Sequence, residues 1–437
     1  KRPIFVGVTI TKEVYMKYLL KQIIFEQQEM QNRRQERIIP RHIEAEWLET
    51  SEVLIISGIR RCGKSGLMQQ MRDRLPEKDF FFNFDDERLA DFTLEDFQTL
   101  QECFFELFGE QHTYYFDEIQ NIEGWERFVR RLYNAGNKVI VTGSNARMLS
   151  RELGTHLTGR YISVEIFPFS FPEFLKIRGV QCQEQDYYTT AGRSMIVSHF
   201  ADYLKQGGFP RYVQSLSRNY LSSLYESIIY RDVLTRNRLT NEKDMQELVF
   251  YLASNATKRV TYSSLGKIIG LQHPDTVKKY LEYIQQTYLI FQLYKYDPSV
   301  KKQMLSPKKI YFIDNAIINR IGFNATENKG IYLENAVFLE LKRRGLDVFY
   351  YDGKKECDFI VRQGVRIVGA YQVTMEMANE QTRAREIAGV REAMQTYGLT
   401  TGYILTMEQR ESIKLEDGTT VEVLPAWQWM MQPQLPL

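Results

Sequence analysis

The sequence predicts an α/β protein whose first domain is an open, mostly parallel sheet covered by helices, with further helical and α/β modules behind it. Three observations carry that prediction. Between residues 52 and 178, runs of β-branched and aromatic residues alternate with helical stretches. The first run, EVLIIS, stops at a glycine and reopens as a helix through GIRRCGKSG. At 437 residues the chain is also too long for one ordinary core, so two or three domains are expected.

Taken in order, residues 11–38 hold apolar residues at helical spacing without Gly or Pro, and read as one long amphipathic helix that packs on the first domain. The strand runs follow: EVLIIS, FFFNF, TYYFDE, KVIVTGS and YISVEIF. Helices are expected after Lys64, near 95–107 and near 124–135. From about 180 to 245 the periodicity is helical, with Gly207-Gly208-Phe209-Pro210 marking a helix-to-helix turn, which suits a small lid. Residues 261–296 offer a short helix, a turn through Gly270 and Pro274, a second amphipathic helix and a β-rich run, the order of a winged helix. Past residue 330 come a helix, strands around a turn, and a helix from roughly 380 to 397, a separate α/β module. The expected division is 1–50, an N-terminal helical segment; 51–178, the phosphate-binding core; 179–245, the lid; 246–314, the winged helix; and 315–437, the C-terminal module.

Apolar residues make up 43% and charged residues 26%, a globular balance that excludes long disorder. The net charge of +2 neither demands nor excludes nucleic acid. Cys62, Cys103, Cys182 and Cys357 form no close pair, so no disulfide framework or zinc site is indicated and a reducing cytoplasm fits. No apolar segment is long enough to span a bilayer, and no membrane partner is expected.

The opening stretch matches G-x-x-x-x-G-K-[ST] through Gly58, Gly63, Lys64 and Ser65, with the required strand before it and helix after it. Gly58 and Gly63 let the backbone of Ile59, Arg60, Arg61 and Cys62 wrap phosphate closely, and Gly66 continues the loop into the helix. Lys64 would reach the β- and γ-phosphates, and the Ser65 hydroxyl would hold Mg²⁺. TYYFDE ends in Asp117-Glu118, a carboxylate for the Mg²⁺ shell followed by one that activates water. KVIVTGSN places Thr142, Ser144 and Asn145 at a strand end; Asn145 would touch the γ-phosphate or the attacking water, or else cap a helix.

At these residues the chain resembles the AAA+ superfamily of P-loop ATPases, and more narrowly the prokaryotic group in which such a domain precedes a winged helix and a restriction-endonuclease-like domain. GIRRCGKS, YYFDEIQN, VIVTGSNARML, LTGRYISVEIFPFSFPEFL, GGFPRYV and KIYFIDNAI carry the resemblance across nearly the whole chain. The resemblance implies ATP as the nucleotide. It also implies that Arg160, just before the fifth strand, reaches a neighbouring subunit's nucleotide in a homo-oligomer, unless it is an internal ion-pair partner or a sensor in its own chain. Arg211, after the Gly-Gly-Phe-Pro turn, resembles the lid arginine that senses nucleotide.

In the second helix of the winged-helix segment, Lys278 and Lys279 face outward while Val277, Tyr280, Leu281 and Ile284 form the apolar face, which suits phosphate contact with double-stranded DNA or a protein surface. In the C-terminal module, Glu334, Asp358 and Gln372 match three positions of the restriction-endonuclease-type site. Position 374 is threonine where active members of that family carry lysine, and Gln372 replaces a carboxylate, so an inactive scaffold that keeps a binding surface is expected. The function expected is Mg²⁺-dependent ATP hydrolysis coupled to conformational change on a DNA or protein partner. Its rival is a nucleotide-gated switch with little turnover.

Overall fold

Each apolar run of the first domain becomes a strand of one sheet. The structure is a computed structural model that describes residues 12–34, 38–145, 157–323 and 329–432. Contacts divide the chain into two units: Lys1–Gly58 with Gly63–Ile166, and Ile59–Cys62 with Phe167–Leu437.

In the first unit the strands are β1 (Val53–Ser57), β2 (Phe81–Asn83), β3 (Thr113–Asp117), β4 (Lys138–Gly143) and β5 (Tyr161–Glu165). Their order is β2-β3-β4-β1-β5 and every pairing is parallel. Residues of β1 and β3 are buried throughout, which is why both read as unbroken apolar runs rather than alternating ones. The crossovers are the helices Lys64–Arg74, Asp96–Phe108 and Trp125–Asn134. Because β1 lies between β4 and β5, with β3 beyond β4, the carboxyl ends of β1, β3 and β4 meet at the crevice where an open sheet takes its ligand.

The N-terminal helix runs Lys12–Arg34; of the rest of the expected 11–38 span, residues 11 and 35–37 lie outside the described residues and Ile38 is not helical. Met16, Leu20, Ile23 and Ile24 recur at i, i+4, i+7 and i+8 and enter the same core as Phe97, Leu100 and Phe104. Aromatic stacking consolidates that core: Phe97 and Phe128 have ring centroids 4.4 Å apart, Phe80 and Phe104 4.9 Å. Burying each such ring stabilises the unit by about 1.5–3 kcal/mol.

The second unit begins with helices. Phe171–Ile177 starts at a reciprocal cap between Ser170 and Glu173, and Thr190–Gln206 ends at Gly207, where the turn into Pro210–Ser215 needs a φ of 66°. Arg218–Ser227 passes into a π-helical stretch, Ile228–Thr235, and Glu242–Ser254 follows. Next come β6 (Arg259–Val260), the helices Tyr262–Ile268 and Pro274–Gln286, β7 (Ile290–Leu293) and β8 (Lys308–Phe312), the three strands pairing antiparallel in the order β6-β8-β7. Val277, Tyr280, Leu281 and Ile284 are buried while Lys278 and Lys279 are exposed.

The helix Lys329–Arg343 then leads to β9 (Asp347–Asp352), β10 (Glu356–Gln363) and β11 (Arg366–Val373), an antiparallel set. The helix Glu380–Tyr397 returns the chain to β12 (Thr401–Thr406), parallel to β11, and β13 (Glu411–Lys414) and β14 (Thr420–Pro425) complete the order β13-β14-β12-β11-β10-β9. Backbone bonds join the two sheets of this unit, Tyr296 N donating to Tyr350 O and Tyr350 N to Tyr294 O, each at 3.0 Å.

Candidate nucleotide site

The chain leaves β1 at Ser57 and turns through Gly58 (φ 148°) and Gly63 (φ 108°), conformations a side chain would strain, before the helix opens at Lys64. Arg61 also takes a left-handed φ of 64°, uncommon outside glycine. Lys64 is buried. Its Nζ donates to Gly58 O at 3.2 Å and lies 3.1 Å from Glu118 Oε1. An ammonium is thus held at the mouth of the loop by a carboxylate from the next-but-one strand.

That carboxylate is aimed by its backbone. Glu118 follows β3 with φ 51° and ψ 40°, a left-handed conformation for a non-glycine residue of the kind that persists where surrounding contacts over-determine it. Its N–H donates to Thr142 Oγ1 at 2.9 Å, and its Oε2 accepts from Gln120 Nε2 at 2.5 Å and Ser144 Oγ at 3.0 Å. Asp117 beside it is fully buried. Oδ1 accepts from Thr142 Oγ1 at 2.6 Å, Oδ2 from Asn83 Nδ2 at 2.8 Å, and the Ser65 hydroxyl also bonds to the carboxyl group. Burial, and secondly the charge of Glu118, push the Asp117 carboxyl up to about 6.

Two oxygen donors beside the loop suit a hard divalent cation, the Ser65 hydroxyl and the buried Asp117 carboxylate. Mg²⁺ is ordinarily held by one or two carboxylates together with substrate phosphates. Ser65 and Asp117 are therefore the residues that would hold it.

Gly58, Gly63, Lys64, Ser65, Gly66, Asp117 and Glu118 all belong to the first unit, as does Asn145, buried just beyond β4. Ile59, Arg60, Arg61 and Cys62 belong by their contacts to the second unit. There Arg60 Nε lies 3.0 Å from Asp232 Oδ2 in the π-helical stretch, and the guanidinium groups of Arg61 and Arg211 lie 5.6 Å and 5.5 Å from the Tyr220 ring centre.

Arg160 is not gathered with the others. It precedes β5, whose Tyr161 pairs with Val53 at the amino end of β1, whereas the loop leaves the carboxyl end. Its guanidinium lies 5.9 Å from the Tyr133 ring centre. A strand of this length spans about 16 Å, so Arg160 cannot serve the loop of its own chain.

Three contributors were not singled out from the sequence. Asn83 ends β2 and Gln120 follows Glu118, and polar residues at strand ends beside an acidic pair were a usable signal. Arg41 lies near the loop, since a Cβ added at Gly63 would come 3.7 Å from its guanidinium. The run IIPRHIE between the N-terminal helix and β1 carried no recognisable spacing.

In the C-terminal module Glu334 and Asp358 do come together, around an unexpected lysine. Lys309 Nζ, from β8, lies 2.9 Å from Asp358 Oδ1, 2.9 Å from Glu356 Oε1 and 3.3 Å from Glu334 Oε1. Gln372 is spent elsewhere: Oε1 accepts from Asp358 N at 3.1 Å and Nε2 donates to Glu386 Oε2 at 2.7 Å. Thr374 Oγ1 bonds to Glu376 O.

Comparison with known families and proteins gives the following. Residues 50–175 match the family described as AAA domain, and residues 197–327 match a domain of unknown function, DUF8612. The chain is 30% identical over 434 residues to the uncharacterized protein MJ1544 of Methanocaldococcus jannaschii, covering 94% of this chain and 96% of that protein. It is 30% identical over 403 residues to an uncharacterized protein of Haemophilus influenzae, covering 88% and 95%. Among solved structures, a RuvB of Thermotoga maritima is similar at 13% identity and a TM-score of 0.29, covering 65% of this chain and 90% of that one.

Proposed function

Since the chain belongs to one family with MJ1544 of Methanocaldococcus jannaschii and carries a P-loop AAA+ domain over residues 50–175, we propose that it binds ATP and hydrolyses it with Mg²⁺. The observation that carries this reading is the Lys64–Glu118 pair at 3.1 Å, a cation and a base facing each other across the loop. On nucleotide binding Lys64 exchanges its carboxylate partner for the β- and γ-phosphates, which releases Glu118. Glu118 then orients water for attack on the γ-phosphorus and takes its proton, while the bond to the leaving β-phosphate oxygen breaks. Ser144 and Gln120 hold the Glu118 carboxylate for that step. When bound, Mg²⁺ neutralises charge developing on the phosphates.

The separation of Arg160 from the loop of its own chain supports a role across a subunit boundary in a homo-oligomer. Arg211 would serve as the arginine that senses nucleotide. In the second unit, the order helix, strand, helix, helix, strand, short helix (Val300–Leu305), strand over residues 242–312, with the three strands antiparallel, supports a winged helix. Exposed Lys278, Lys279, Lys301 and Lys302 offer it phosphate contacts, which favours double-stranded DNA as the partner. A helix, three antiparallel strands, a helix and a strand parallel to the last support the restriction-endonuclease-like reading of the C-terminal module.

Phosphate release from ATP and Mg²⁺, with and without double-stranded DNA, tests the proposal. Turnover that Glu118→Gln abolishes is expected. Nucleotide binding without turnover in either condition would replace this reading with the switch.

A further inference from the structure

Lysine is among the residues least often buried, because its ammonium loses hydration that only close partners replace. Lys309 is 4% exposed, the second residue of a strand buried throughout, and its carboxylate partners converge from two other elements. Asp358 and Glu356 come from β10 and Glu334 from the helix Lys329–Arg343. Tyr311, two residues on and on the same face of β8, donates its hydroxyl to Glu334 Oε1 at 2.7 Å. Around this centre Arg259 of β6 lies 2.6 Å from Glu356 and 2.8 Å from Asp352, so a second cation from the three-stranded sheet grips the six-stranded one.

Three carboxylates within 3.3 Å of one point are what a divalent cation attracts, and the point is already taken by a covalently tethered charge. Among the described residues no group of three or more His, Cys, Asp or Glu is arranged to hold a metal. The second Asp358 oxygen is engaged as well, accepting from Val373 N at 3.1 Å. We infer that the Lys309 ammonium stands in the place of a divalent metal ion, making this cluster a metal-independent ionic joint between β8 and β10 rather than a hydrolytic centre. Lys64 has one carboxylate partner to exchange for phosphate, whereas Lys309 is held by three carboxylates at once, which leaves its ammonium neutralised without a substrate. The inference does not depend on the nucleotide reading.

The test uses nucleotide-free full-length protein and Mn²⁺ alone as probe, with bound ion followed by electron paramagnetic resonance. Wild type is expected to bind no Mn²⁺ that Asp358→Asn removes, and to leave supercoiled plasmid intact in Mn²⁺. Lys309→Met is expected to gain one equivalent of Mn²⁺, at least about tenfold tighter than any wild-type binding, and to lose it again when combined with Asp358→Asn. Removing the lysine alone leaves three carboxylates facing one another. If that variant fails to fold, Lys309→Met with Glu334→Gln takes its place, keeping Asp358 and Glu356 for the ion. Asp358-dependent Mn²⁺ binding or plasmid nicking by wild type would overturn the inference. So would a folded lysine-less variant that binds no more Mn²⁺ than wild type.

Discussion

Replacing Glu118 by glutamine should separate binding from turnover, and the geometry sets the size of both effects. Lys64 and Glu118 stand 3.1 Å apart with side chains 2% and 12% exposed. At an effective dielectric constant of about 20, their gross attraction is about 5 kcal/mol. Most of it is offset by the cost of taking both charges out of water, leaving a charge-assisted hydrogen bond with a net worth of about 1.5–3 kcal/mol. ATP must break this bond to engage Lys64, so removing the charge makes that exchange easier. Glutamine keeps the shape and the acceptor oxygen, so part of the bond survives. The gain expected is about 1–2 kcal/mol, or roughly 5–30-fold tighter ATP binding. Turnover moves the other way, falling by about 10²–10⁴-fold with the loss of the base. Titration of a fluorescent ATP analogue reads the first effect and phosphate release the second. Lys64→Ala, run in parallel, should lose tight binding. If Glu118→Gln weakened binding as much as Lys64→Ala does, the roles assigned here would be wrong.

Other consequences concern the groups around that pair and the rest of the first unit. Asp117 titrates near 6, above its ordinary range of about 3.8, because burial and Glu118 disfavour its charge. A raised folded-state value means that this group's contribution to stability is full below pH 3.8 and is lost as pH climbs through about 6. Mg²⁺-dependent ATP binding needs the ionised form, so it should weaken by up to about tenfold per unit as pH falls below 6, and Asp117→Asn should melt no lower than wild type at about pH 8 while losing the Mg²⁺ requirement. Thr142→Val strands both the Asp117 oxygen and the Glu118 N–H that share its hydroxyl; a loss of about 1–3 kcal/mol in denaturant unfolding, with slower turnover, is expected. Phe97→Ala removes a fully buried ring stacked on Phe128 and should cost about 3–5 kcal/mol, read in the same unfolding experiment. Arg160→Ala should bind ATP normally but turn over slowly, and mixing it with inactive Lys64→Ala should restore some activity, because mixed assemblies pair an intact loop with an intact arginine. Failure of mixing to restore any activity counts against action across a subunit boundary.

The first unit was legible because its signals are local. A strand buried on both faces reads as an apolar run, a phosphate loop needs glycine at fixed offsets, and both are properties of consecutive residues. The acidic pair at 117–118 was legible for the same reason, standing at the end of such a run. What held that pair in place was not. Asn83 and Thr142 reach Asp117 from neighbouring strands, 34 and 25 residues away along the chain, and strand order alone brings them within hydrogen-bonding distance.

By itself, then, the sequence determined the order of elements, the phosphate loop, the carboxylates beside it, and the amphipathic faces that build each core. Only the tertiary structure decided which charges neutralise which. Arg160 sits close in sequence to residues of the site but lies away from the loop of its own chain, because parallel pairing with β1 puts the start of β5 at the opposite end of the sheet. Lys309 lies 49 residues before Asp358 in an ordinary KKIYF run, yet becomes the centre of the carboxylate cluster. Spacing along a chain fixes local geometry, whereas the partner of a buried charge is chosen by whatever the fold brings within about 4 Å, and no periodicity records that choice.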